Sequence, residues 1–230
     1  MSLWQLTINF FVALFALLDP IGTIPVFAAA TASASPMARR RVALYISLFA
    51  IAFLTFFYLT GMALLDFFGI SMPAFRIAGG ILLFLLGLEM ARHDFAGQFA
   101  EELDPNNDPA DWRGYARRRF ERLIVPFAMP LLIGPGAIST VIVYASEAQR
   151  FGPIGYAYGV GVIVAVAAIT LVVFSFTGVI AKLIGRIGMA IVVRVLGLLL
   201  CALAVQLIIA GVADSTRGLI DYDATQLRAH

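Results

Sequence analysis

The sequence predicts an all-α integral membrane protein of six transmembrane helices, arranged as two inverted three-helix repeats with broken first and fourth helices. Three observations predict it: an apolar composition, six long apolar runs, and two motif pairs repeated at nearly one spacing. Of 230 residues, 61% are hydrophobic and 13% charged, against roughly half and a quarter in a soluble domain. So few polar residues cannot cover a soluble core of that size. The mean hydropathy of +0.94 agrees. Composition therefore excludes a soluble enzyme, a disordered chain and an ordinary nucleic-acid binder. The net charge of +2 calls for no acidic polymer partner. The single cysteine, Cys201, excludes an intrachain disulfide and a cysteine-only metal site.

The apolar runs cover 3–30, 42–65, 70–90, 123–146, 154–181 and 187–213. Each reaches the roughly 20 residues that a helix needs to cross hydrocarbon. Lipid offers no hydrogen bonds to a bare backbone, so runs of this length are expected as helices rather than barrel strands. Connections 31–41, 91–122 and 182–186 carry eleven Lys and Arg, and the opposite side carries three, Arg150, Arg217 and Arg228. That bias places the three connections in the cytoplasm and both termini in the periplasm. Ala30-Thr31-Ala32 has the look of a cleavage site, but residues 1–18 contain no Lys or Arg and Asp19-Pro20 interrupts the apolar run. The first span is therefore expected to stay in the protein rather than leave as a signal peptide.

The first span reads Leu17-Leu18-Asp19-Pro20-Ile21-Gly22-Thr23-Ile24-Pro25, and the fourth Leu132-Ile133-Gly134-Pro135-Gly136-Ala137-Ile138-Ser139-Thr140. Each sets a proline mid-span with glycine close by. The third and sixth spans share Arg-x-x-Gly-x-x-Leu, at Arg76, Gly79 and Leu82 and at Arg194, Gly197 and Leu200. Pro20 and Pro135 lie 115 residues apart, Arg76 and Arg194 118 apart. A repeat of three spans, an odd number, inverts its second copy, as in many secondary transporters. The expected organisation is a first repeat over 1–92, a cytoplasmic linker over 93–118, a second repeat over 119–213 and a short periplasmic tail over 214–230.

Proline removes a helix hydrogen bond and clashes one turn back, and lipid charges several kcal/mol for each polar group so freed unless protein or cavity water satisfies it. Pro20, Gly22 and Pro25, then Pro126, Pro130, Gly134, Pro135 and Gly136, put such groups in both halves. Packed kinks are the structural alternative; their density in corresponding positions favours a binding site. Half-helix N-termini after Pro20 and Pro135 would suit a carboxylate, with Thr23, Ser139 and Thr140 adding hydroxyls. Asp19 is the only acidic residue in the middle of a span, a costly position that favours function. It is expected to bind a substrate ammonium or a coupling proton, or to cap the half-helix that follows. Arg76 and Arg194 are candidates for a carboxylate contact, an interhelical lock or snorkelling to the interface. Glu89 reads as interfacial, Gln206 as a hydrogen-bonding group between helices, and Gly155 with Gly159 as a close-packing pair.

No P-loop pattern is present, His93 and His230 lack metal-ligand spacing, and no Ser/His/Asp arrangement lies in the membrane. Neither an enzyme, a cofactor nor a metal is expected. The loop holds an acidic part, Glu101 to Asp111, and a basic part, Arg113 to Arg122, whose Arg117-Arg118-Arg119 run marks the inner interface rather than a nucleic-acid site.

At Asp19-Pro20-Ile21-Gly22-Thr23-Ile24-Pro25-Val26-Phe27, and again from Pro126 to Ile138, the sequence resembles the MarC family of six-span inner-membrane proteins. The likeness extends over essentially the whole chain, Arg76 and Gly79 included, but not to the long loop 91–122. The resemblance implies a bacterial inner-membrane protein, with some relatives described as transporters of small neutral amino acids. It also implies a more distant similarity to amino-acid exporters of the LysE type, and it does not establish drug efflux. The expected function is a secondary transporter of small neutral amino acids, proton-coupled through Asp19. The alternatives are a non-transporting membrane scaffold or a channel. Expected partners are the lipid bilayer, a small zwitterion and protons, with assembly into a homo-oligomer left open.

Overall fold

The computed structural model describes residues 2–32, 34–92, 114, 116, 117, 120, 121 and 133–224. Pro126 and Pro130, His93, the acidic part of the central loop, most of its basic part, and the tail beyond Ala224 lie outside the described residues. Among those described, the chain is helical and contains no strand.

Helix α1, Leu3–Leu18, opens with a capping box. The Gln5 N–H donates to Ser2 Oγ at 3.3 Å, and the Ser2 N–H donates to Gln5 Oε1 at 3.0 Å. It stops at Asp19, because a proline disfavours right-handed helix in the residue before it. Asp19 takes φ 41°, ψ 64°, the one positive φ outside glycine among the described residues, a conformation that Asp tolerates better than most side chains. A turn over 20–23 leads into α2, Ile24–Ala30, with Pro25 in its first turn. The first apolar run is therefore two helices and a turn, as the proline density foretold.

Helix α3, Pro36–Phe67, starts where the Ala38 N–H donates to Ser35 Oγ at 3.2 Å. Helix α4 is Met72–Arg92. Helix α5, Pro135–Ala148, runs into a 3₁₀ turn at Gln149–Phe151. Helix α6, Gly152–Ala224, is divided by Gly185 at φ 71°, ψ 173° into arms 152–184 and 186–224. The chain reverses between α5 and α6: a Cβ on Gly155 would lie against the Ala148 carbonyl. In a straight helix, residues seven apart are about 10 Å apart. The second arm continues past residue 213, so most of the expected tail is helical.

Among the described residues four helical stretches are long and apolar enough to cross a membrane: Pro36–Phe67, Met72–Arg92, Gly136–Gly185, which holds both α5 and the first arm of α6, and Ile187–Thr216; Leu3–Leu18 is apolar but shorter. Large apolar side chains stand on the outside, among them Phe67 at 81%, Leu183 at 87% and Ile187 at 80% exposure. A soluble monomer does not display apolar surface on that scale; lipid accepts it. Inside, Leu6, Phe10, Leu14 and Leu18 form the buried stripe of α1 at four-residue spacing. Phe10 stacks on both Tyr58 and Tyr144, and Phe27 stacks on Phe174 at 4.3 Å.

Contacts fix relative directions. Phe10 meets Tyr144 while Leu17 meets Gly136, so α1 and α5 are antiparallel. Tyr58 meets Gly155 and Gly159 while Arg39 meets Gly178, so α3 and the first arm of α6 are antiparallel. Gly211 meets Pro73, Gly80 meets Ala204, and Gly87 meets Gly197, so α4 and the second arm are antiparallel too. At this last seam the backbones touch. A Cβ on Gly197 would sit 2.5 Å from the Gly87 carbonyl oxygen, and one on Gly87 2.7 Å from the Gly197 carbonyl oxygen.

Candidate functional site

The break after α1 is a turn organised by Asp19. The Gly22 N–H donates to Asp19 Oδ1 at 3.1 Å, and the Thr23 N–H to the Asp19 carbonyl at 3.1 Å. The Thr23 hydroxyl donates to the same carbonyl at 3.0 Å and lies 3.4 Å from that of Pro20. Asp19 is partly buried, and Pro20, Gly22, Thr23 and Pro25 are buried. Gly22 leaves no room for a side chain, because the Asp19 carboxylate and Leu196 of α6 fill the space. The Asp19 carboxylate thus organises the turn over 20–23, whereas the half-helix begins at Ile24 rather than at Pro20, with Thr23 in its N-cap position and no side-chain cap.

At the second proline-glycine motif Gly134 is extended at φ −63°, ψ 172°, and α5 starts with Pro135; residues 122–132 before it lie outside the described residues. No side chain caps α5. A Cβ on Gly136 would touch Leu17 of α1 and Leu83 of α4 at 3.3 Å, and Leu207 of α6 at 3.4 Å. The last turn of α1 and the first turn of α5 therefore meet. From this meeting point α1 and α5 run back for about 24 Å and about 21 Å at 1.5 Å per residue. Ser139 and Thr140 are buried at 1% and 7% exposure.

Helical hydroxyls elsewhere bond back to a carbonyl one turn before, as Thr7 does to Leu3, Thr31 to Phe27 and Thr170 to Val166. Ser139 Oγ does not, and neither do Ser47 Oγ nor Thr55 Oγ1 of α3; all three atoms are buried without a partner among the described residues. Sequence reasoning passed over Ser47 and Thr55, though a hydroxyl inside an apolar run was the available signal.

Arg76 and Arg194 are not drawn into the break region. Arg76 pairs with Asp214 of α6, about 10 Å along α4 from Leu83 by helix rise. That contact is the interhelical lock among the readings open for it. Asp214 escaped notice because the sixth apolar run ends at 213. Arg194 is exposed, two residues before Leu196. Arg39, counted only as a cytoplasmic charge, holds the end of α2: its Nε donates to Thr31 Oγ1 at 3.3 Å and its Nη2 to the Thr31 carbonyl at 3.1 Å. Glu89 and Gln206 are exposed. Gly155 and Gly159 do serve close packing, against Tyr58.

Separately, an apolar groove of about 570 Å³ lies between α1 and the first arm of α6, lined by Trp4, Ile8, Phe11, Tyr158 and Gly161 among others. Thr7 at its wall spends its hydroxyl on the Leu3 carbonyl. The groove offers a zwitterion nothing, and no residue of either break lines it. Among the described residues no His, Cys, Asp and Glu cluster could hold a metal.

Residues 4–216 match the family described as MarC family integral membrane protein. A UPF0056 membrane protein of Methanocaldococcus jannaschii is 37% identical, over 88% of this chain and 93% of its own. The UPF0056 membrane protein YhcE of Escherichia coli is 32% identical over 93% and 94%. A UPF0056 membrane protein of Aquifex aeolicus is 33% identical over 91% and 93%. These names state a membrane protein and no substrate. No solved structure matches the chain. The chain belongs to the MarC family of integral membrane proteins.

Proposed function

We propose that this MarC-family chain is a secondary transporter of small neutral amino acids, built of six spans in two inverted repeats, with its binding site at the two breaks. The observation that carries the reading is their meeting: Gly136, in the first turn of α5, packs on Leu17, two residues before Asp19. Broken helices that meet at the interface of two repeats are the usual seat of a transporter's site. Inversion has its own support, since first and fourth, second and fifth, and third and sixth runs each pair antiparallel. Shifted by the 118-residue offset, the Gly87–Gly197 contact falls on residues 205 and 79, beside the observed Gly80–Ala204 contact.

Asp19 couples a proton in this reading. Its carboxylate holds the Gly22 N–H, and a charged acceptor makes the stronger hydrogen bond. Protonation weakens that bond and loosens the turn that starts α2, so the proton and the shape of the break are linked. The charge bias supports an orientation with both termini periplasmic, and the family membership supports an inner-membrane location.

The test is purified full-length protein in liposomes, offered radiolabelled glycine, alanine, serine and threonine with and without an imposed proton gradient. Saturable uptake that responds to the gradient is expected. Asp19→Asn should keep the Gly22 bond and the fold while losing the response to the gradient. No saturable flux from folded protein would favour a scaffold, and non-saturating conductance a channel. A cytoplasmic C-terminus in reporter fusions would sink the inverted arrangement.

A further inference from the structure

Helix α2 is short enough that its ends decide its position. Its seven residues rise about 10 Å, and a helix of that length does not persist without tertiary contacts. One end hangs on the turn over 20–23, where the Gly22 N–H donates to Asp19 Oδ1. In the middle, Phe27 stacks on Phe174 of the first arm of α6. The last turn of α2 contains no basic residue, so the cation favoured at a helix C-terminus has to come from elsewhere.

Arg39, in the first turn of α3, is that cation. Its Nε donates to Thr31 Oγ1 at 3.3 Å, and its Nη2 donates to the Thr31 carbonyl at 3.1 Å and reaches the Ala34 carbonyl at 3.5 Å. Thr31 is the C-cap of α2 and fully buried. Its hydroxyl donates in turn to the Phe27 carbonyl at 2.7 Å, so the guanidinium is joined to the residue that stacks on Phe174. On the other side Nη1 lies against Gly178 of α6, where a Cβ would overlap it. One side chain of α3 thus touches both the end of α2 and the first arm of α6.

These three acceptors are neutral oxygens, so the bonds are charge-assisted without stranding a buried carboxylate when they break. Arg39 is itself only half-buried, and a long basic side chain at a span's end can turn its head to water. The contact is therefore one that can be made and released. The far end of α2 has the makings of a hinge, a few residues at an element's end that absorb a change of backbone angle: Asp19 stands there at φ 41°.

We propose that Arg39 is the latch of an inner gate, fastening the end of α2 to α3 and to the Gly178 face of α6, and that its release lets α2 swing on the Asp19 turn and opens the first break to the cytoplasm. The assignment rests on the transport reading for its purpose and on the charge bias for which side is inner. It gives the two ends of α2 different tasks. The Asp19 turn answers to protons, and the Arg39 end holds the path shut.

The experiment reads access to Ala30, which is 0% exposed and next to Thr31. Full-length protein carrying Ala30→Cys and Cys201→Ser is labelled in inside-out and right-side-out vesicles with a membrane-impermeant maleimide. Arg39→Ala should speed labelling from the cytoplasmic face by about tenfold or more, the worth of one hydrogen bond to a charged group. Arg39→Lys keeps the charge but not the fork, and should speed it less. Gly178→Ala, which keeps the arginine and crowds Nη1, should raise the rate in the same direction. Arg40→Ala, at an exposed neighbour, should leave it unchanged. A parental rate in both Arg39→Ala and Gly178→Ala would overturn the latch, as would an equal rise in Arg40→Ala. So would access gained only from the periplasmic face. An equal rise at Ala145→Cys, buried in α5, would mean general loosening and overturn it too. Flux separates this inference from the one beneath it. Access that depends on Arg39 without any alanine flux sinks transport and leaves the latch. Saturable alanine flux in a protein whose Ala30→Cys access ignores Arg39 sinks the latch and leaves transport.

Discussion

The seam between α4 and the second arm of α6 should be the place where adding one methyl group does most harm. At Gly197 an alanine Cβ would lie 2.5 Å from the Gly87 carbonyl oxygen, 2.7 Å from the Ala91 nitrogen and 3.0 Å from the Met90 Cβ. The first two of these are backbone atoms in a helix, so no rotamer change relieves them. Ordinary contact begins near 3.5 Å, so the helices must part by close to an ångström. A gap of that size forfeits about a quarter to a half of each dispersion contact along the seam. The neighbouring close approaches, Gly80 to Ala204 and Gly211 to Pro73, would loosen with it. Overpacking of this kind costs about 1–3 kcal/mol, and the upper half of that range is expected for Gly197→Ala.

Two other glycines provide the scale. Gly136→Ala meets only leucine methyl groups at 3.3–3.4 Å, so its neighbours can give and the cost should stay below about 1 kcal/mol. Gly161→Ala meets nothing within 4 Å and gains helix propensity of about 0.5–1 kcal/mol. Thermal unfolding of the three variants in one detergent should therefore rank them with Gly197→Ala lowest and Gly161→Ala at or above the parent. For a chain of this size, a loss of about 2 kcal/mol lowers the midpoint by roughly 4–8 °C. Equal midpoints for Gly197→Ala and Gly161→Ala would refute backbone contact at the seam, and with it the direct packing of third on sixth run.

Two further outcomes test the packing around the site. Arg76→Ala and Asp214→Ala should each destabilise, with a coupling of about 1 kcal/mol in a double-mutant cycle, and the reversed pair Arg76→Asp with Asp214→Arg should recover part of the loss in the same melting assay. Tyr58→Phe should cost less than about 1 kcal/mol, because its hydroxyl reaches the Gly155 carbonyl only at 3.4 Å; Tyr58→Ala should cost about 3 kcal/mol or more, since it empties the space beside Phe10 and Gly159.

Helix existence, the first break and the start of α5 were legible in the sequence because one-dimensional signals encode them. Apolar length marks a span, Asp19-Pro20 stops a helix, and Gly134-Pro135 starts one. Turn and seam contacts were partly legible: Asp19 as an acceptor for a nearby backbone N–H, and Gly155 with Gly159 as packing positions, could be read from residue type and spacing. What stayed hidden depends on partners far away in sequence. Nothing in the residues near Arg76 announces Asp214, 138 positions on, and an apolar-run boundary drawn at 213 removed that carboxylate from the helix. Nor does residue type reveal that Ser139 forgoes the back-bond that Thr7, Thr31 and Thr170 make.

The matched motifs also concealed a difference that only the fold exposes. Both breaks read as proline with glycine close by, and symmetry alone assigns them one chemistry. In the structure α2 has seven residues and α5 fourteen. The turn before the shorter helix holds a carboxylate, Asp19 Oδ1 on the Gly22 N–H, and the longer helix begins on Gly134, which has no side chain to offer. A break that satisfies its donors internally is closed to a ligand unless its own cap is released. The two stretches do meet, since Gly136 packs on Leu17. The acidic side chain at position 19, opposed to glycine at 134, is the chemical difference between them.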